Sequence, residues 1–101
     1  MTDQDINAIL ENLKNISLEQ FDGKNGAVKN QFIIRTPDVT IFQSYTTLIA
    51  VRTGGKIYLN KDAWDYSKTT GKYRNQFLNE TKAETEKKIK SGEYTLIEVR
   101  K

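Results

Sequence analysis

The sequence predicts an α+β domain in which an N-terminal helix covers an antiparallel sheet of four or five strands and two short helices precede the last strand. Apolar residues recur at helical spacing over residues 3–16, and short apolar runs with strand character follow between residues 31 and 59. Helical signals return between residues 70 and 92. A chain of 101 residues is one domain, with the helix and a turn in residues 1–30 and the sheet and later helices in residues 31–101.

The predicted N-terminal helix has one apolar face. Its aliphatic residues are spaced at steps of three and four: Ile6, Ile9, Leu10, Leu13 and Ile16. Thr2 or Asp3 can accept the free N–H groups at the helix start. A domain this small needs such a face for its core, so we favour a helix that covers the sheet over one that docks on a partner. Residues 22–26 then have the composition of a turn.

Apolar runs rich in β-branched and aromatic residues predict the strands. They lie at residues 32–35, 39–45, 48–51 and 57–59. The pair Gly54-Gly55 separates the last two runs and predicts a two-residue hairpin, because both turn positions need positive φ. The register across this hairpin places Ala50 opposite Leu59.

Two helices and a final strand complete the predicted domain. Residues 70–79 predict a short helix, and three nearby hydroxyls can cap it: Ser67, Thr69 and Thr70. Thr81 and Glu84 have the spacing of a capping box for the next helix, which Gly92 is well placed to end. Residues 94–99 alternate as a last strand.

The composition argues against several functions. The chain has no cysteine and no histidine, so it lacks thiolates, the usual general base and the usual zinc ligand. We therefore expect no enzyme, no cofactor and no metal. No apolar run reaches the ~18–20 residues that span a bilayer, and no signal peptide is evident, so we expect no membrane partner and a cytoplasmic protein.

Charge is unevenly distributed along the chain. The net charge is +3, but residues 1–50 carry −2 and residues 51–101 carry +5. This permits an anionic partner without requiring one. The close carboxylate pair Asp62 and Asp65 lies among lysines, which favours surface ion pairs over acid–base catalysis.

Aromatic, basic and hydroxyl side chains are concentrated in residues 64–78. The triplet Thr70-Gly71-Lys72 resembles the end of a phosphate-binding loop. Tyr66 stands where that loop needs its first glycine, and Tyr73 where it needs a hydroxyl residue for magnesium. The sequence therefore excludes a phosphate-binding loop of this type.

The same region is the best candidate for a binding surface. Exposed aromatics beside cations suit a protein interface, and they also suit single-stranded nucleic acid. The alternative is that the aromatics belong to the core, which we favour for Trp64 and Phe77, whereas Tyr66 and the cations are expected at the surface. The candidate set is Lys56, Tyr58, Tyr66, Lys68, Lys72, Tyr73 and Arg74.

Several segments resemble a family of small uncharacterised proteins from phages, prophages and other mobile elements of Gram-positive bacteria. They are Phe42-Gln43-Ser44-Tyr45-Thr46-Thr47-Leu48-Ile49-Ala50, the run from Trp64 to Tyr73, and Phe77-Leu78. The resemblance covers roughly residues 40–95, with Tyr66-Ser67-Lys68-Thr69-Thr70 as its most specific part. It implies a mobile-element context and carries no established activity.

We expect a non-enzymatic interaction protein that docks on a host or phage macromolecule, including the inhibition of a defence system or another host process. A protein partner is favoured, because the net charge is near balance. The alternative is a nucleic-acid-binding accessory protein that uses the basic, aromatic region 56–76. A homodimer that pairs through an open sheet edge is also compatible with a small sheet.

Overall fold

Six strands and two helices make up residues 17–23 and 26–99, which this computed structural model describes. In chain order they are β1 (Ser17–Gly23), β2 (Gly26–Arg35), β3 (Val39–Ser44), β4 (Thr47–Thr53), β5 (Lys56–Asn60), α1 (Lys68–Leu78), α2 (Lys82–Ser91) and β6 (Tyr94–Ile97). The strands form one sheet in the order of the chain. Neither α1 nor α2 has the length and apolar character of a membrane-crossing helix.

The predicted fold class is wrong in three respects. The described sheet has six strands, because residues 17–23 and 26–35 form a hairpin where the sequence predicted a turn at residues 22–26 and a strand at residues 32–35 only. The sheet is mixed, because α1 and α2 cross over between β5 and β6 and return the last strand parallel to its neighbour. Within the described residues, α1 and α2 cover the sheet and no N-terminal helix does; the helix predicted over residues 3–16 lies outside them.

The strand register divides the sheet into a core face and an opposite face. Across the sheet, residues that pair directly share a face. The central row of the core face is Glu19, Ile33, Phe42, Ala50, Leu59 and Leu96. Its middle members Phe42, Ala50 and Leu59 have no exposed surface, so this row carries the centre of the core.

Aromatic side chains of α1 pack on the core face. The rings of Phe42 and Phe77 lie 5.9 Å apart, and the rings of Phe21 and Tyr73 lie 5.2 Å apart. Centroid separations of about 4.5–7 Å are those of favourable aromatic pairs. The helix is thereby fixed on β3 and on the outer strand β1.

Local signals in the later half of the chain are confirmed. Gly54 and Gly55 have φ values of 57° and 75°, and Ala50 pairs with Leu59 across the hairpin that they form. The Thr81–Glu84 capping box is present at the start of α2, whose C-cap Gly92 is left-handed. These signals depend on neighbouring residues only, so tertiary contacts do not override them.

A buried carboxylate joins the two helices to the last strand. Glu80 is 3% exposed and accepts hydrogen bonds from Lys88 Nζ and Tyr94 Oη, each at 2.7 Å, and from Thr85 Oγ1. Burial raises the pKa of the Glu80 carboxyl, but these three donors outweigh burial and hold the pKa below its ordinary value of 4.5. The ionised carboxylate is therefore part of the folded structure.

Candidate partner-binding groove

The candidate site begins where the chain leaves β5. Asn60 is 6% exposed; its side chain donates to Leu48 O over 2.7 Å and accepts from the backbone N–H of Asp62. The backbone carbonyl of Asn60 accepts from the backbone N–H groups of Ala63 and Trp64. One buried side chain thus holds the turn that carries residues 61–66 towards α1.

Ser67 then starts α1. Its side chain accepts from the backbone N–H of Thr70 over 3.1 Å, and the first turn contains no acidic residue. Of the three hydroxyls that the sequence offered as caps, Ser67 is the one that takes this role. Thr70 is instead buried, and its Oγ1 lies 3.1 Å from Ser44 Oγ on β3.

Arg74 forms the inner wall of the site. Its side chain is 1% exposed; Nη1 donates to Trp64 O and Asp65 Oδ1, and Nη2 donates to Asn75 Oδ1, over 2.7–3.0 Å. The guanidinium also lies 5.1 Å from the centre of the Trp64 ring. The guanidinium packs beside Gly71, where an added Cβ would make an ordinary van der Waals contact of 3.5 Å with Nη2. Arg74 therefore ties residues 64–65 to the helix.

The expectation that Arg74 faces solvent is wrong. A cation can point inwards here because two carbonyl-type oxygens and a carboxylate meet it, which sequence spacing does not show. Tyr73 is also buried, at 8% exposed, against Phe21. In this conformation neither side chain offers a surface to a partner.

Asp65 links Arg74 to α2. Its second oxygen accepts from Lys82 Nζ over 2.7 Å. Burial raises the pKa of the Asp65 carboxyl, but the hydrogen bonds from Lys82 and Arg74 lower the pKa by more than burial raises it. The pKa therefore lies below its ordinary value of 3.8. At neutral pH the carboxylate offsets one of these two positive charges, and the 3.8 Å contact of Lys82 with Glu86 offsets part of the other.

Tyr66 is the exposed aromatic of the site. Half of its surface (50%) is accessible, and its hydroxyl oxygen lies 3.5 Å from Ser44 Oγ, next to the buried Ser44–Thr70 pair. That distance is long for a hydrogen bond, so the contact restrains the ring only weakly. The tip of the ring rests on the sheet and one side remains available.

Two open depressions meet at Tyr66. The larger, of about 750 Å³, is here named the Tyr66 groove; it is lined by Asp65, Tyr66, Ser67, Lys68, Gly71, Lys72, Arg74, Asn75, Gln76 and Lys82. The smaller, of about 330 Å³, is lined by Thr47, Asn60, Asp62, Ala63, Tyr66 and Val99. Lys68 and Lys72 are exposed one helical turn apart, and neither forms an ion pair with another described residue.

The structure brings together only part of the predicted binding set. Tyr66, Lys68, Lys72 and the buried Arg74 line the groove. Lys56 lies at the exposed β4–β5 hairpin, and Tyr58 pairs with Val51 on the sheet face opposite the core. Neither of these two residues lines the groove.

The predicted set lacked six residues that line the groove: Asp65, Ser67, Gly71, Asn75, Gln76 and Lys82. Asn75 and Gln76 follow Lys68 and Lys72 at helical steps of three and four, so a helical projection could have found them. Lys82 comes from α2 and enters the site through Asp65, and no sequence signal marks that contact. Within the described residues, no group of three or more acidic side chains is arranged to hold a metal ion.

A family profile matches residues 6–93 of the chain. The chain belongs to a family of unknown function, DUF8033. The expectation of a small uncharacterised family is confirmed in that form. The match also covers most of the first forty residues, which the resemblance over residues 40–95 did not include. No curated protein and no solved structure matches the chain.

Proposed function

We propose that this member of DUF8033 is a non-enzymatic interaction protein that docks on another protein through the Tyr66 groove. The carrying observation is the exposed half of the Tyr66 ring, which lines both depressions beside two exposed lysines. Tyrosine is enriched among residues that dominate binding energy, because its ring offers a large contact area.

Local rigidity supports this role for Tyr66. Asn60, Arg74 and the Ser67 cap hold the backbone on both sides of the ring, and its tip rests near Ser44. A tyrosine side chain has two rotatable χ angles, so fixing it on binding costs little conformational entropy. A pre-positioned aromatic of this kind gains affinity mainly by lowering the cost of association.

A protein partner fits the groove better than a nucleic acid. Single-stranded nucleic acid is bound by successive aromatic platforms along a basic track. Of the aromatics between residues 64 and 73, Tyr66 is the exposed one; Trp64 is half-buried under Arg74 and Tyr73 is buried. Asp65 neutralises part of the positive charge. Lys68 and Lys72 are then the two lysines of the groove that form no ion pair with another described residue.

The context that we propose is a phage or other mobile element, and the target a host or phage protein. The Tyr66-Ser67-Lys68-Thr69-Thr70 pattern supports this origin through its resemblance to proteins of such elements. Small proteins of mobile elements commonly act by docking on a larger machine, which includes the inhibition of host defence; this support is by analogy.

A capture experiment tests the proposal. Tagged wild-type protein is incubated with a lysate of the cells that encode it, alongside a groove variant (Tyr66→Ala, Lys68→Ala, Lys72→Ala) and a control variant (Lys87→Ala, Lys90→Ala). The control removes the same charge from exposed positions on α2. We expect wild type and control to retain one partner and the groove variant to lose it by about tenfold or more. Equal retention by all three would contradict the proposal.

The nucleic-acid alternative is tested separately. Labelled single- and double-stranded oligonucleotides are titrated with wild type and with the groove variant at two salt concentrations. We expect no binding at about micromolar protein, since few phosphates can be neutralised by two lysines. Salt-dependent binding that the groove variant loses would assign the groove to nucleic acid instead.

A further inference from the structure

The sheet face opposite the core carries a row that runs through all six strands and is apolar from β1 to β5. Its members pair directly with one another from edge to edge: Leu18, Ile34, Ile41, Val51, Tyr58 and Thr95. Each lies next to a residue of the core row, so alternation along the strand places it on the other face. We name this surface the outer face.

Within the described part of the chain, α1 and α2 pack on the core face and leave the outer face uncovered. Phe77 packs on Phe42, and Arg52 Nη2 donates to Phe77 O over 2.8 Å. On α2, Lys88 reaches the hydroxyl of Tyr94. Phe42, Arg52 and Tyr94 all belong to core-face rows of the register.

The apolar side chains of the outer face retain exposed surface. Leu18 is 65% exposed, and Ile34, Ile41, Val51 and Tyr58 are each half-buried, in contrast to the fully buried middle of the core row. The residues of the described core cluster and of the groups packed against it include none of these five. A continuous apolar strip of this kind on a sheet marks an interaction surface.

Charge narrows the choice of occupant. The row contains no charged residue, and Phe32, Val39, Gln43 and Thr53 on the same face are uncharged as well. Lys56, which pairs with Thr53 beside the β4–β5 turn, adds a cation at the margin of the face. A phosphate-bearing partner would find no cation along the row itself. A second copy would meet the row with apolar surface and without like-charge repulsion, as a two-fold interface requires.

The size of the face agrees with a weak dimer. Six strands about 4.8 Å apart, with about five residues of about 3.3 Å each, give a flat footprint of roughly 500 Å² per copy. A stable interface buries about 600–800 Å² on each partner, and protruding side chains raise the accessible area above the flat footprint. The outer face thus lies near the lower end of what a specific dimer needs.

We propose that a second copy of this chain covers the outer face, so that two sheets pack face to face about a two-fold axis. Sheets packed in this way lie about 10 Å apart, with aligned strands. The helices of both copies then face outwards, and the two Tyr66 grooves lie on opposite outer sides of the dimer. Such a dimer would bind a partner bivalently, although the interface itself does not depend on the function of the groove.

Sedimentation tests this interface without any partner. Wild type (11.6 kDa) is compared with Ile41→Thr/Val51→Thr, which keeps β-branched side chains in the strands but removes apolar surface from the outer face. We expect the wild-type mass to approach twice the monomer value at about 100 μM, with a Tm that rises with concentration. We expect the dimer dissociation constant of the variant to be at least about tenfold higher than that of wild type. Below that concentration, the Tm of the variant should not depend on protein concentration.

Three outcomes would overturn the proposal. Wild type could remain a monomer up to about 1 mM, beyond the range of a specific interface. A dimer could persist unchanged in the variant, which would place it at a sheet edge, β1 or β6. A monomer whose Tm falls in the variant would show that another part of the same chain covers the outer face. Far-UV circular dichroism confirms that the variant is folded before any of these results is interpreted.

Discussion

The two ends of α1 differ in how far the chain satisfies its own polar groups. At the C-terminal end, Arg52 donates to Phe77 O over 2.8 Å, and the backbone N–H groups of Asn79 and Glu80 bond to Asn75 O. Asn79 is left-handed, as is common where a helix is closed by its own backbone. At this end, donors of the protein itself satisfy the backbone carbonyl groups of Asn75 and Phe77.

The N-terminal end is left open. Ser67 accepts one backbone N–H, and the nearby Tyr66, Lys68 and Lys72 keep exposed polar atoms without ion pairs to other described residues. One helix thus carries a structural end and an available end. The difference teaches that charge alone does not mark a binding surface here, because the buried charges of Arg74 and Glu80 serve the fold.

Removing the arginine behind the open end should have the largest effect. We expect Arg74→Ala to lower the free energy of unfolding by about 3–5 kcal/mol, because Asp65 and Trp64 O lose a buried cationic donor and a cavity forms. Urea denaturation measures the loss. A change below about 1 kcal/mol would mean that Arg74 does not hold the groove wall.

The closed end should tolerate change without loss of binding. We expect Glu80→Gln to destabilise the fold by about 2–3 kcal/mol, because a neutral amide weakens three charge-assisted hydrogen bonds. The folded fraction of this variant should still capture the partner as wild type does. Impaired capture by correctly folded Glu80→Gln would erase the distinction between the two ends.

The pH dependence of stability tests the role of Glu80 at the C-terminal end of α1. The pKa of Glu80 is lower in the folded than in the unfolded chain, so the carboxylate stabilises the fold above its ordinary value of 4.5, and this contribution is lost as the pH falls through the folded pKa. We expect wild type to lose stability below about pH 4.5 more steeply than Glu80→Gln. Thermal unfolding between pH 7 and pH 3 measures both slopes. Parallel curves would show that Glu80 contributes no pH dependence, with Asp65 accounting for the acid loss.

The smallest expected effect separates the Tyr66 ring from its hydroxyl. We expect Tyr66→Phe to change stability by less than about 0.5 kcal/mol, because the contact to Ser44 is 3.5 Å long. Partner affinity should stay within about threefold of wild type, since the ring supplies the contact area. A large loss of affinity would instead assign recognition to the phenolic oxygen.

Sequence reasoning succeeded where structure depends on neighbours in the chain. The Gly54-Gly55 hairpin, the Thr81–Glu84 capping box and the Gly92 stop each rest on residues a few positions apart. β1 and the first part of β2 were missed, although residues 32–35 were predicted as a strand, because residues 17–23 and 26–31 mix polar and apolar side chains without regular alternation. Their strand form depends on long-range pairing, with Phe21 packed against Phe42.

The candidate site was only partly predictable for a related reason. Exposure of Tyr66, Lys68 and Lys72 follows from their composition and spacing. Burial of Arg74 requires the carbonyl of Trp64 and the carboxylate of Asp65 to meet it in space, which a helical pattern does not encode. A cation one position from a buried tyrosine gives no local sign of pointing inwards.

Site-specific photo-crosslinking tests the central claim most directly. A photoreactive side chain is placed at Lys68 in the Tyr66 groove or, as a control, at Lys87 on α2; both positions are exposed. After irradiation in the cells that encode the protein, we predict a discrete protein adduct from position 68 and none of that mass from position 87. Adducts of equal yield from both positions, or an adduct from position 87 alone, would contradict the proposal that the open end of α1 is the docking surface.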